Sequence, residues 1–171
     1  MRGQKKEAPV IETPRLILRE KRECDIPGML DLFNNEEVRR YLGGYPPREE
    51  RAMWRMVRDR KNTEWAVTLR ETGIYIGECQ LFDITDHYLG ELGYYFRREY
   101  WGAGYAYEAA EAVCNYAGDV LKLGRLCANV DTANERSKLL LERLGFSLVA
   151  LLPESNFGGR VADVAYCSRK L

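Results

Sequence analysis

The chain has 171 residues, 46% of them hydrophobic and 30% charged, and its 26 basic and 26 acidic residues cancel. That length suits one domain with a real core, and zero net charge argues against general nucleic-acid or membrane-surface binding. No apolar run approaches the ~20 residues of a membrane span.

The polar, basic stretch 1–9 lacks an apolar signal core and reads as a flexible tail, which leaves 10–171 as a single domain. Arg15 to Glu20 reads as the first strand. Asp25 and Pro27 stand where the N-cap and first residue of a helix belong, ahead of Met29, Leu30, Leu32 and Phe33. Glu36 to Tyr41 starts another helical turn, and Gly43-Gly44-Tyr45-Pro46-Pro47 breaks it. Arg48 to Arg60 is helical, with Ala52, Met53, Met56 and Val57 on one face.

Trp65 to Leu69, Ile74 to Phe82 and Tyr88 to Phe96 are strands, separated by turns at Thr72-Gly73 and Asp83 to His87. Such short turns imply an antiparallel meander. Gly77 marks a bulge or a close approach. A helix runs from near Gly104 towards Leu121, Gly124 to Val130 is a strand, and a helix from Glu135 to Leu144 ends at Gly145 in an αL cap. Phe146 to Leu152 and Val161 to Arg169 complete the sheet, joined by a polar loop at Ser155 to Arg160.

The five scattered cysteines, Cys24, Cys79, Cys114, Cys127 and Cys167, form no C-x-x-C pair. They read as reduced thiols of a cytoplasmic protein, not as a metal or redox site. The single histidine, His87, sits in a hairpin turn and reads as surface.

The chemistry is concentrated in Arg97-Arg98-Glu99-Tyr100-Trp101-Gly102-Ala103-Gly104-Tyr105-Ala106-Tyr107-Glu108-Ala109. A strand precedes this stretch and an apolar helical period follows it. A strand, a glycine turn and a helix start leave backbone N–H groups at the positive end of a helix dipole, where phosphate is the natural guest. A tight turn without a ligand explains the glycines equally well. A Rossmann fingerprint needs a third glycine where Tyr107 stands, and a P-loop needs Gly-Lys-Ser/Thr, which does not follow Gly102.

The run Tyr100 to Ala109 resembles the pyrophosphate loop of the GNAT superfamily of acyl-CoA-dependent N-acyltransferases. It resembles the form of the loop in the branch that acetylates ribosomal-protein N-termini. Glu12 to Glu20 resembles the family's first strand, Gly90 to Phe96 its fourth, and Asn134 to Phe146 its last helix and the start of the next strand. One position departs: Glu99 stands where many members have Gln or Arg, which weakens a side-chain contact but not the backbone cradle. The resemblance implies an α+β fold, with a mixed, mostly antiparallel sheet flanked by helices and splayed between the fourth and fifth strands to hold acetyl-CoA.

An amine acyltransfer needs a neutral amine, donors for the oxyanion, and help for the leaving thiolate. Glu91 is the candidate base: the resemblance implies that it polarises a water, and strand alternation puts Glu91, Gly93 and Tyr95 on one side. Asn134 is a natural helix N-cap. Leu141 stands where many relatives have an acidic tyrosine, so Ser137 is the implied thiol-side acid. The implied cofactor contacts are Tyr94, Phe96, Arg97, Trp101, Gly102, Ala103, Gly104, Tyr105, Ala106, Asn134 and Ser137. Tyr41, Tyr45, Glu64 and Trp65 are expected along the acceptor cleft. The leading acceptor is a protein N-terminal α-amine, with a small-molecule amine as alternative. A non-catalytic acyl-CoA-binding module is a further alternative, and both monomer and homodimer remain open.

Overall fold

The computed structural model describes residues 8–41, 47–59, 61–85, 88–157 and 160–171. Thirteen of its elements carry the fold. In chain order they are β1 (Ile11–Glu12), β2 (Leu16–Arg19), α1 (Ile26–Asn34), α2 (Glu36–Arg39), α3 (Glu50–Arg58), β3 (Glu64–Leu69), β4 (Tyr75–Thr85) and β5 (Leu89–Phe96). Then follow α4 (Tyr105–Asp119), β6 (Arg125–Asp131), α5 (Glu135–Arg143), β7 (Ser147–Phe157) and β8 (Arg160–Lys170). Tyr45 and His87 lie outside the described residues, as does most of the expected tail.

The strands form one sheet in the order β1-β2-β3-β4-β5-β6-β8-β7. Neighbours are antiparallel, except that β5 and β6 run parallel. A parallel pair needs a long crossover, and α4 supplies it. The pair holds only at Leu89↔Arg125, Gly90↔Leu126 and Glu91↔Cys127. Beyond Glu91, β5 stays paired with β4 down to Phe96↔Gly77, and β6 stays paired with β8 out to Asp131↔Val164. Each half follows its own antiparallel partner, so the sheet opens between them, after the strand that resembles the family's fourth.

Two buried clusters lie on the two faces. One gathers Leu92, Phe96, Leu126 and Val130 under α4 and α5, where Ala109, Ala110 and Ala117 let α4 approach the sheet closely. The other gathers Met29, Leu32, Phe33, Met53 and Val57 of α1 and α3 over Ala66 and Tyr75.

Several local expectations shift. Asp25 flanks α1 but makes no cap bond. It accepts two hydrogen bonds from Arg19, at 2.7 and 2.8 Å, and one from the Arg22 N–H. A buried carboxylate gains more from a bidentate guanidinium than from a helix end. β4 runs past Phe82 to Thr85, through a register shift. The expected loop Ser155 to Arg160 is largely strand, pairing Ser155↔Ala162, Asn156↔Val161 and Phe157↔Arg160. Gly77 does sit at a bulge: Val67 pairs with it while Thr68 pairs with Tyr75, leaving Ile76 extra. A Cβ on Gly77 would stand 2.3 Å from the Tyr95 carbonyl oxygen.

Candidate active site

The glycine loop leads from β5 into α4. Gly102 and Gly104 both have φ of +81°, a conformation that a side chain opposes. Gly104 is the N-cap of α4 and supplies no side-chain cap. The first helical bond runs from the Glu108 N–H to the Gly104 carbonyl at 3.1 Å. The earlier N–H groups therefore have no partner within the helix. A Cβ at Gly102 would meet nothing within 4 Å, so the glycine serves the turn and the space outside it is open. An uncapped helix start beside that space, with Arg15 Nη2 3.4 Å from where a Gly104 Cβ would stand, fits a pyrophosphate.

Trp101 braces the base of this loop. Its indole N–H donates to the Phe96 carbonyl at 2.7 Å, and Arg98 and Arg136 lie over its ring at 4.9 and 5.2 Å. The expectation that the Arg97 side chain meets the cofactor is corrected. Its guanidinium donates to Asp31 at 3.2 Å, pairs with Glu99 at 2.6 Å and donates to the Tyr75 carbonyl at 3.1 Å. Arg98 is likewise committed to Glu37 at 2.7 Å. Arg15 reaches the glycines of the loop: its Nη1 donates to the Ala103 carbonyl at 2.8 Å and its guanidinium lies 4.5 Å over the Tyr105 ring.

Glu91 occupies the last paired position before the sheet opens. Asn129 of β6 reaches across and donates to Glu91 Oε1 at 3.0 Å. Burial pushes the Glu91 carboxyl above its ordinary range; the Asn129 bond opposes this and Asp83 adds to it. Tyr94, three residues on, faces the opposite side of β5. Its hydroxyl lies 2.7 Å from Ser137 Oγ. Asn134 caps α5 by accepting from the Ser137 N–H at 3.2 Å. Leu141 is buried in the core. Glu91 and the Tyr94–Ser137 pair thus flank one opening from opposite faces of the sheet. Burial, only partly offset by the Ser137 bond, pushes the Tyr94 phenol well up, so it stays protonated and is a weaker acid than an ordinary tyrosine.

A cavity of about 420 Å³ lies under α1 and α3. Its sheet side carries Glu64, Glu78, Gln80 and Tyr95, and its helix side Phe33, Arg48 and Arg55. Tyr95 shares its side of β5 with Gly93 and Glu91, so the cavity and the carboxylate use one face. Of the expected acceptor residues, Glu64 lines the cavity. Tyr41 is half-buried and is not among the residues that line it. Trp65 is corrected outright: it is 0% exposed, packs edge-on to Tyr116 of α4 at 5.5 Å and donates to the Pro9 carbonyl at 2.7 Å. Adjacent strand residues face opposite ways, so Glu64 in the cavity puts Trp65 in the core.

A family model described as an acetyltransferase (GNAT) domain matches residues 15–147. The chain belongs to the GNAT acetyltransferase family. An uncharacterized N-acetyltransferase, YoaA of Bacillus subtilis, is 31% identical over 84% of this chain and 86% of its own length. The fold superposes on a spermidine N-acetyltransferase of Vibrio cholerae, in complex with CoA and spermine. The TM-score is 0.78 and the identity 24%, over 92% and 96% of the two chains. It also superposes on RimL, a ribosomal L7/L12 α-N-protein acetyltransferase in complex with CoA, with TM-score 0.81 at 16% identity over 95% and 98%. This GNAT chain is therefore an acetyl-CoA-dependent acyltransferase.

Sequence reading of the acetyltransferase missed Arg15, Glu108, Lys21, Glu78 and Arg48. Arg15 and Glu108 were both visible inside the motifs, yet nothing in a linear motif says that the two meet. No helix among the described residues is long and apolar enough to cross a membrane, and no described cluster of His, Cys, Asp or Glu could hold a metal ion.

Proposed function

We propose that the protein transfers an acetyl group from acetyl-CoA directly to a primary amine, in a ternary complex without an acyl-enzyme. The flanking of one opening by Glu91 and by the Tyr94–Ser137 pair carries this reading. The donor's pyrophosphate lies on the backbone of Gly102 to Ala106. Its amide arm runs along the β5 edge from Leu92 to Phe96, which no β6 residue pairs, and Asn134 borders the same arm.

The acceptor enters from the cavity face. Glu91 takes the amine proton through a water, and its raised carboxyl pKa makes it a better base than an ordinary carboxylate. The amine nitrogen forms a bond to the thioester carbon, the C–S bond breaks, and the thiolate leaves on the Ser137 side. Ser137 supplies the hydrogen bond or proton, backed by the Tyr94 phenol at 2.7 Å. A serine hydroxyl alone is a weak acid, and the protonated phenol can donate a hydrogen bond to Ser137 Oγ as the serine proton moves towards the thiolate.

The leading acceptor is a protein N-terminal α-amine. Its pKa near ~8 lies closer to neutrality than a lysine's ~10.4, which suits a carboxylate base acting through water. A small-molecule amine is the second reading, favoured by a cavity within the ~300–1,000 Å³ typical of small-ligand sites. The five free cysteines support a reduced, cytoplasmic setting. Thiol release from acetyl-CoA with a panel of amines and N-terminal peptides tests the reading. Binding of acetyl-CoA with no release for any acceptor would make the protein a non-catalytic acyl-CoA module.

A further inference from the structure

The cavity under α1 and α3 is bipolar. On its sheet side Lys21, 1% exposed, reaches Glu64 and Glu78, both at 3.1 Å. Burial works against the Lys21 charge, but Glu78 and Glu64 outweigh it and hold the ammonium protonated. Tyr75 donates to the other oxygen of Glu78 at 3.0 Å. Two carboxylates share this one buried ammonium, and the exposed Lys61 lies 3.9 Å from the other oxygen of Glu64, so the buried part of this side is one negative charge in excess. On the helix side stand two cations. Arg48 stacks 4.5 Å over the Phe33 ring and donates to Met56 Sδ at 3.1 Å, and Arg55 is exposed. Asp59 also lines this side, and Arg58 holds its carboxylate with two bonds at 3.0 Å. Tyr95 lies between the poles: burial pushes its phenol up to about 12, Glu78 adds to the rise and Arg48 opposes it.

A structural role explains this poorly. A buried ion pair adds little stability over well-packed apolar residues of the same volume. Here the charges also wall a cavity, where apolar groups would cost nothing in desolvation. Opposed poles on a shared wall are instead what discriminates charged ligands.

Resting on the acetyl-transfer reading, we propose that the acceptor is a primary amine that also carries an anionic group, a carboxylate or a phosphate. The carboxylate-rich sheet side draws the acceptor's ammonium towards the face that bears Glu91. Arg48, with Arg55 beside it, holds the anion on the helix side. Stacking on Phe33 fixes the Arg48 plane before the acceptor arrives, which lowers the ordering cost of binding. Polyamines are disfavoured, because their second cation would meet Arg48 and Arg55. The chemistry is shared by a free acidic amino acid and by a polypeptide that begins with an acidic residue.

The test measures kcat/KM for thiol release from acetyl-CoA with the intact protein. One arm compares the α-carboxamides of aspartate, asparagine and lysine, in which the side chain alone sets the anionic charge. The other compares peptides of otherwise identical sequence that begin with these residues. The paired amide and carboxylate differ in charge at nearly constant shape. Preference for the acidic member by tenfold or more in either arm supports the inference, and the arm that shows it names the source. Arg48→Gln should bring that preference close to one, mainly through a higher KM for the acidic acceptor, and Arg48→Lys should restore part of it. Equal rates across the charge series, or preference for the lysine member, would overturn the inference and leave acetyl transfer standing. Release with no amine of any charge would overturn both. The wild-type preference decides the matter even where a variant folds poorly.

Discussion

Arg15 and Glu108, 93 residues apart in sequence, are clamped together at the start of α4. Arg15 Nε donates to Glu108 Oε2 at 2.6 Å, the Arg15 N–H donates to Oε1 at 2.9 Å, and Thr13 Oγ1 donates to Oε1 at 2.6 Å. The same guanidinium holds the Ala103 carbonyl. The β1–β2 turn is thereby fastened to the phosphate loop, and the guanidinium closes one side of the cradle.

Glu108→Gln should loosen that clamp and weaken acetyl-CoA binding by roughly tenfold, the scale of one or two lost charge-assisted hydrogen bonds. Burial tends to raise the Glu108 carboxyl, but Thr13 and Arg15 overcome it and hold it below its ordinary 4.5. A depressed pKa stabilises the fold above the ordinary value. That contribution is lost as pH falls below 4.5 and through the depressed value. Thermal melts of the wild type and Glu108→Gln at pH 7 should differ, and should converge in acid.

Gly104→Val places a β-branched residue at φ +81°. The strain is on the order of 1–3 kcal/mol. The core does not involve this position, so the fold should persist while acetyl-CoA affinity falls. Calorimetric titration with a folded variant checks this, and unchanged affinity would remove the loop from the donor site.

Glu91→Gln keeps the shape and removes the base. The rate should fall by roughly 10²–10⁴-fold and recover in part at high pH, where the amine is already neutral. The raised Glu91 pKa predicts that the acidic limb of kcat/KM lies above the ordinary 4.5. Asn129→Leu removes the bond that opposes this rise, so the limb should move further up. A wild-type rate for Glu91→Gln at every pH would mean that Glu91 is not the base.

Ser137→Ala should slow transfer by less than Glu91→Gln, because a thiolate leaves without full protonation. Tyr94→Phe should cost a similar amount, and the double variant little more than either single one, since the two hydroxyls act in series. Single-turnover rates would show this, and full additivity would mean that the hydroxyls act separately.

The sequence alone determined the strand–loop–helix around Gly102 and Gly104, the meander before it and the Asn134 cap. These follow from residues a few positions apart: alternation, helical period, glycine conformation and side-chain capping. Only the tertiary structure decided that Arg15, not Arg97, reaches the glycines of the loop, and that Asp25 pairs with Arg19 rather than capping α1. Strand order likewise put Trp65 in the core and brought Lys21, Glu64 and Glu78 together at one cavity wall. A charged side chain's partner depends on which strands and helices become neighbours. That choice is made by the packing of the two buried clusters across the sheet, and no local pattern records it.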